Sequence, residues 1–317
     1  LSEEASILII AGPTASGKSA MAMAVAEEFD GCVINADSMQ IYADLRVLSA
    51  RPSEADEARV PHRLYGVLDG SEVCSAARWR ELAVQAIRET LAEGRLPIIC
   101  GGTGLYIKAL TDGLNEMPAI PDDVRARVRA DLEEKGSPFL HEELKVGDPE
   151  TAERLEPGDS QRVARAVEVL RATGKSITWW QTQAPVIEPP EGWKFTTIAL
   201  IPPREELYDR CNKRFSKMLE EGAIEEVQAL AARGLDRSLP VMRALGVPEL
   251  MAYLAGEIDL EEAERQASQG TRRYAKRQNT WLSNQIITKN AIHSKYSESL
   301  LPSIFAIIRQ TVLTTPR

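Results

Sequence analysis

Residues 6–19 read SILIIAGPTASGKS, an apolar run that ends in a glycine-rich loop. From Gly12 to Ser19 the spacing is G-x-x-x-x-G-K-S, with Pro13, Thr14, Ala15 and Ser16 between the two glycines Gly12 and Gly17. Glycines let the backbone curl with its N–H groups facing inward. A lysine at the place of Lys18 reaches a phosphate oxygen, and a hydroxyl at the place of Ser19 suits a magnesium ion. The stretch that follows, KSAMAMAVAEEF, is rich in helix formers and predicts a helix whose positive end lies under the anion. Strand, loop and helix in this order predict a phosphate-loop core. The loop binds a di- or triphosphate and leaves open whose.

Working outward, GCVINA at 31–36 and LPIIC at 96–100 are further strand candidates, with a helix predicted between them at 76–94. The alternation gives the α/β class: a core like that of the P-loop nucleoside triphosphate hydrolases, with a mostly parallel sheet. The pattern then changes. DDVRARVRADLEEKG and DSQRVARAVEVLRATGKS read as amphipathic helices, punctuated by prolines at 118, 121, 138, 149 and 157. KFTTIALI at 194–201 returns to strand, residues 204–290 read as helical, and the later run IFAIIRQTVL is left unassigned. The expected organisation is a first core part over 1–112, a helical insertion over 113–192, and the rest of the core with C-terminal helices over 193–317.

Bulk properties exclude more than they identify. The 317 residues are 44% apolar, ample for a core, and no run approaches the length of a membrane span. No signal-peptide pattern opens the chain, which starts at Leu1 without a methionine, so a few native residues are expected to precede it. Cys32, Cys74, Cys100 and Cys211 form no ligand-spaced pair and suggest reduced thiols in the cytoplasm. His62, His141 and His293 are too scattered for a histidine metal site. A net charge of −9 argues against nonspecific nucleic-acid binding, though not against a local basic face. A monomer without membrane contact is expected.

The ends of the predicted strands carry the chemistry. Asp37 follows CVINA directly, at the carboxyl edge of the sheet, where open α/β folds bind ligands. Its carboxylate can take a proton, hold magnesium through water or cap a helix. Ser38, Met39 and Gln40 follow, and a glutamine amide can pair with adenine in a bidentate way. GGTGLY at 101–106 places Gly101, Gly102, Thr103 and Gly104 after the LPIIC strand, either as a close-approach turn or as a flexible one. Basic residues are unevenly spread: Gly270–Asn290 holds Arg272, Arg273, Lys276, Arg277 and Lys289 with no acid. Gln161, Arg162, Arg165 and Arg171 mark the middle segment, with Arg162 and Arg165 on one helix face. Together these suggest contacts to a polyanion. Tyr274 suits base stacking or a helical core, and the core reading is preferred. No NKxD guanine-reading string is present; NKRF at 212–215 lacks the aspartate.

The chain resembles the tRNA dimethylallyltransferases, also called tRNA isopentenyltransferases, from about residue 7 to 290. The likeness runs through GPTASGKS, ADSMQIY, HRL at 62–64, GGTGLYIKAL, DSQRVARAVEV, GKS at 174–176, RCNKRFSKMLEEG and TRRYAKRQNTWL. It implies transfer of a dimethylallyl group from dimethylallyl diphosphate, with Mg2+, to N6 of the adenosine 3′-adjacent to the anticodon, in tRNAs reading codons that begin with U. It implies that residues 12–19 cradle the diphosphate together with Arg214, and that Asp37 is the general base. It further implies that Gln40 and Thr103 meet the flipped-out adenosine beside Ser38 and Met39. Arg125 and residues 161–165, Gln161, Arg162, Val163, Ala164 and Arg165, would contact an anticodon stem-loop. Two places depart from the family's pattern: LSARP at 48–52 where many members have GTAKP, and Val247 where many have tyrosine. A phosphotransferase with the same loop, or a non-enzymatic RNA-binding module, are the rival readings. Donor labelling separates them.

Overall fold

The computed structural model describes residues 4–115, 117–183, 185–286 and 289–313. In chain order the strands are β1 (Ala5–Ala11), β2 (Gly31–Asn35), β3 (His62–Arg63), β4 (Leu96–Gly101), β5 (Leu114–Asn115), β6 (Pro185–Ile187), β7 (Trp193–Leu200) and β8 (Ala291–Ile292). Residues up to Thr111 and from Pro190 onward form one compact unit, and Asp112–Pro189 forms a second.

The first unit is built on a six-stranded sheet of order β3-β2-β4-β1-β7-β8, and each neighbouring pair runs parallel. Strands buried on both faces read as unbroken apolar runs, which is why β1 was legible at once. Alternate side chains go to opposite faces: Ile7 and Ile9 join one core cluster, Leu8 and Ile10 the other. The helix Ala76–Ala92 covers the first face with Trp79, Ala83 and Ile87. The second face is covered by Met21 and Val25 of the helix Lys18–Phe29 and by Ile304 and Ile308 of the helix Leu301–Thr311.

The unassigned run IFAIIRQTVL is therefore mostly the C-terminal helix that closes one face of the sheet. Phe305 meets Phe29 edge-on with centroids 5.3 Å apart, and Arg309 pairs with Glu28 at 2.5 Å. The edge strands β3 and β8 were missed because two residues carry no readable alternation. Among the described residues no helix is long and apolar enough to cross a membrane.

In the second unit, helices Asp122–Lys135, Ser137–Gly147 and Ser160–Thr173 pack around Val128, Leu140, Leu144, Val163 and Val167. Three of its prolines begin helices: Pro121 at an N-cap, Pro138 and Pro149 in first turns, where a missing N–H costs nothing. Asp148 caps the helix Pro149–Arg154 by accepting from the Thr151 N–H at 3.2 Å. The short strands β5 and β6 pair antiparallel. Arg171 grips Glu143 through two nitrogens, at 2.8 and 2.6 Å, and Asp131 at 2.8 Å. Those hydrogen bonds, Glu143 foremost, hold its guanidinium firmly charged. Arg171 thus braces helices and leaves the set of polyanion contacts in which the sequence had placed it.

Candidate active site

Three strand ends meet at the carboxyl edge of the sheet. The loop after β1 is tied to β4 by the Gly12 N–H, which donates to the Gly101 carbonyl at 3.4 Å. The turn after β2 is tied to β4 by Ala36 N–H to Cys100 O at 2.8 Å and by Thr103 N–H to Ala36 O at 3.2 Å. The Ser38 N–H donates to the Thr103 hydroxyl at 3.0 Å. Close approach is what the glycines allow: a Cβ on Gly101 would stand 2.1 Å from the Ala36 oxygen. On Gly102 it would stand 2.3 Å from the Gln278 side chain, and on Gly104 2.2 Å from the Trp281 ring. What approaches the GGTG turn is therefore the protein itself.

The phosphate loop is set by its backbone. Ala15 (φ 62°) and Gly17 (φ 93°) take left-handed conformations, and Gly17 starts the helix Lys18–Phe29. The Thr14 N–H donates to Gln278 Oε1 at 2.8 Å, while Gln278 Nε2 donates to the Gly102 carbonyl at 2.9 Å. One buried amide from the long helix Leu260–Gln285 thus joins two strand-end loops. Tyr296 donates its N–H to the Ser16 carbonyl at 3.1 Å. The Ser16 hydroxyl is buried and without a partner. Ser19 is exposed beside the Cys100 thiol.

Two cations serve this loop, Lys18 from within it and Arg214 from a distant part of the chain. Lys18 is buried and donates to the Pro13 carbonyl at 3.3 Å. Arg214 donates to the Thr14 hydroxyl at 2.9 Å and the Ser49 carbonyl at 3.4 Å. Burial lowers the pKa of both, and the nearby Asp37 charge partly restores each. Both donate to neutral oxygens and among the described residues neither is in an ion pair, so both are placed to gain from an arriving anion. Burial pushes the Cys100 thiol up to about 11, so it stays neutral.

Asp37 is held by its own turn. Its N–H donates to Asn35 Oδ1 at 2.7 Å, and its carboxylate accepts from the Met39 N–H at 2.9 Å. Asn35 Nδ2 donates back to the carbonyls of Asp37 and Leu64, both at 3.0 Å. Tyr274 sits with the Asp37 charge and the hydroxyls of Thr103 and Ser38, and its phenol is driven upward, burial first. It lines the site as well as packing in its helix, and Arg277 lies 5.7 Å from its ring. Gln40 points inward: its amide nitrogen donates to Ser49 and Ala50 carbonyls at 3.0 and 2.8 Å. In this state its donor is not free for a base.

A small cavity adjoins Thr14 and Arg214, with Leu48, Phe215, Met218 and Leu245 among its walls. The sequence did not reveal it, because these residues come from three separate stretches. Leu48, a departure from the family's glycine, is one of its walls. Val247 is wholly buried at the start of the helix Val247–Leu254, a core residue with no exposed face.

Arg125, Gln161, Arg162 and Arg165 lie in the second unit. Arg125, Arg162 and Arg165 have acids three residues away, at 3.9, 3.6 and 3.2 Å. Gln161 is exposed and Ala164 half-buried. Val163 is fully buried in the core of its unit, so its side chain packs there and is not available to RNA.

Comparison with known proteins agrees along nearly the whole chain. The sequence pattern of the family described as IPP transferase matches residues 40–285. The chain is 55% identical to a tRNA dimethylallyltransferase of Rhodospirillum centenum, over 88% of this chain and 89% of that one. A crystal structure of a tRNA isopentenylpyrophosphate transferase from Bacillus halodurans superposes with a TM-score of 0.69 at 33% identity, covering 99% and 98% of the two chains. A eukaryotic dimethylallyltransferase acting on tRNA superposes with a TM-score of 0.74 at 25% identity, covering 96% and 78%.

Proposed function

The chain belongs to the IPP transferase family, and from that premise we propose that it transfers a dimethylallyl group from dimethylallyl diphosphate to N6 of the adenosine 3′-adjacent to the anticodon. The substrates are tRNAs reading codons that begin with U. The observation that carries this reading is the convergence of a phosphate loop, the buried Lys18, the half-buried Arg214 and the Asp37 carboxylate at one sheet edge. A small cavity with apolar walls opens beside them.

The donor diphosphate lies on the loop 12–19 against the N–H groups at the start of the helix Lys18–Phe29, with Lys18 and Arg214 on its oxygens. The dimethylallyl tail enters the cavity walled by Leu48, Phe215, Met218 and Leu245. As the allylic C–O bond breaks, its electrons go to the departing diphosphate, where the two cations and loop N–H groups stabilise the new charge. N6 forms the new N–C bond and becomes strongly acidic as it does so. Its proton passes to the Asp37 carboxylate. Extruding a base from a loop costs less than from a paired helix. Thr103 and Tyr274 line the side by which the base enters, and Gln40 reads it after giving up its inward bonds.

Among the described residues no group of three or more His, Cys, Asp or Glu could cage a metal. The Ser19 hydroxyl and the Asp37 carboxylate are hard oxygen donors that fit Mg2+, which uses few protein oxygens and keeps substrate phosphates and water. Ser19 would hold it, with Asp37 through water, and it would neutralise diphosphate charge. The unit Asp112–Pro189 grips the anticodon stem through Arg125, Gln161, Arg162 and Arg165, in a monomeric cytoplasmic enzyme.

The test is incubation with labelled dimethylallyl diphosphate or labelled ATP and unmodified tRNA. Label is expected on tRNA from the first donor alone. Transfer from ATP to a small acceptor, with no prenylation, would reverse the reading.

A further inference from the structure

The segment after Asp37 has no regular structure from Leu45 to Ala50, yet it carries two anchors of the site. The Ser49 carbonyl accepts from both Gln40 and Arg214, and Leu48 forms one wall of the cavity. Such a stretch needs an external hold. It has one in Glu226, half-buried in the helix Ala223–Ala232 and about 180 residues further along the chain. Three successive N–H groups converge on this carboxylate: Arg46 at 2.5 Å and Val47 at 2.8 Å on Oε1, and Leu48 at 2.9 Å on Oε2. Consecutive inward N–H groups form an anion-binding concavity, here filled by a side chain of the protein. The same helix is fixed again at its end, where Arg233 pairs with Asp44 and Asp69.

We propose that Glu226 is a positioning residue for the donor site, holding residues 46–48 so that the Ser49 carbonyl orients Arg214 and Leu48 shapes the cavity. It touches no substrate. Its influence passes along the backbone to Arg214, and from there to the donor diphosphate; this rests on the function proposed above. Gln40 shares the Ser49 carbonyl but gives that bond up before it reads the base, and the RNA contacts of the second unit lie outside the route.

The substitution to use is Glu226→Gln. Glutamine keeps the Oε1 contacts with Arg46 and Val47, but presents an NH2 to the Leu48 N–H and loses the negative charge. Glu226→Asp keeps the charge with a shorter reach. Initial rates are measured with dimethylallyl diphosphate and unmodified tRNA, alongside thermal unfolding. For Gln, the donor KM is expected to rise about tenfold, the scale of one charge-assisted hydrogen bond lost. The KM for tRNA should move less than about twofold, and Asp should recover part of the donor KM. A donor KM within about twofold of wild type sinks the inference. So does a uniform loss of all parameters together with a large fall in Tm, which would make Glu226 a general fold residue. A wild-type enzyme that transfers no prenyl group would instead overturn the proposed function.

Discussion

The candidate active site of the sheet unit and the surface of the helical unit use their cations in opposite ways. At the candidate active site the buried Lys18 and the half-buried Arg214 donate to neutral oxygens. In the helical unit, Arg125, Arg162 and Arg165 sit on helix surfaces beside acids of their own helix. Asp37 is the nearby negative charge for both Lys18 and Arg214 but is in direct contact with neither, so a bound anion restores much of what the lost water cost. A surface pair contributes little and is easily exchanged for another anion. The first arrangement suits one small, highly charged ligand held in fixed geometry. The second suits an extended polyanion whose hold depends on salt.

The contrast is tested hardest at the carboxylate among the active-site cations. Asp37→Asn is expected to lower kcat by about 10²–10⁴, the usual worth of a general base. Donor and tRNA affinity should stay close to wild type, because asparagine can still accept the Met39 N–H. Single-turnover rates with prebound tRNA across a magnesium series check this. Partial rescue by metal would point to a metal-ordering role, and rates near wild type would require another residue at the centre.

Lys18→Ala is expected to lower kcat/KM for the donor by about 10²–10³, the loss typical of one donor to developing charge. Both KM and kcat should suffer, since the lysine faces the bound and the departing diphosphate. A pH dependence follows from the same burial. Lys18 must be protonated to meet the diphosphate, and its pKa lies below the ordinary 10.5. As pH rises, kcat/KM for the donor should therefore fall before a free lysine would titrate. Lys18→Arg should remove that alkaline limb. An effect confined to tRNA affinity would place the loop on RNA phosphate and erase the contrast.

The smallest effect belongs to the surface pairs. Replacing Arg162 and Arg165 together by alanine should weaken tRNA binding and reduce the salt slope by roughly 1 to 2, as for two lost phosphate contacts. The donor KM should hardly change. Arg171→Ala is the control within the same unit: it should lower the melting temperature and leave the slope alone, since its charge is spent on Glu143 and Asp131. A filter-binding series with equal slopes for the double variant and wild type would remove Arg162 and Arg165 from the phosphate contacts.

Legibility in the sequence followed the range of the interactions. The strand β1, its loop and the helix Lys18–Phe29 are consecutive, and local spacing specified them together. Asp37 was found because it ends a recognisable strand. Gln278 and Glu226 gave no such signal. One sits in a basic helical stretch, and the other looks like an ordinary acid in a helix's first turn. Arg171 and Arg162 read alike in the sequence, yet one braces a core and the other faces solvent. The glycines of the GGTG turn pointed to a close approach, but the partner proved to be Ala36, Gln278 and Trp281.

The sequence by itself determined the α/β class, the strand–loop–helix that carries the phosphate-loop spacing and the carboxylate that follows the second strand, because each rests on residues near one another in the chain. Tertiary structure alone decided that Arg214 reaches Thr14 across 200 positions, that the C-terminal helix closes one face of the sheet, and that Leu48, Phe215, Met218 and Leu245 share one cavity. Those contacts join segments whose separate patterns hold no record of each other. They are fixed only when the sheet, by burying both its faces, brings its strand ends together.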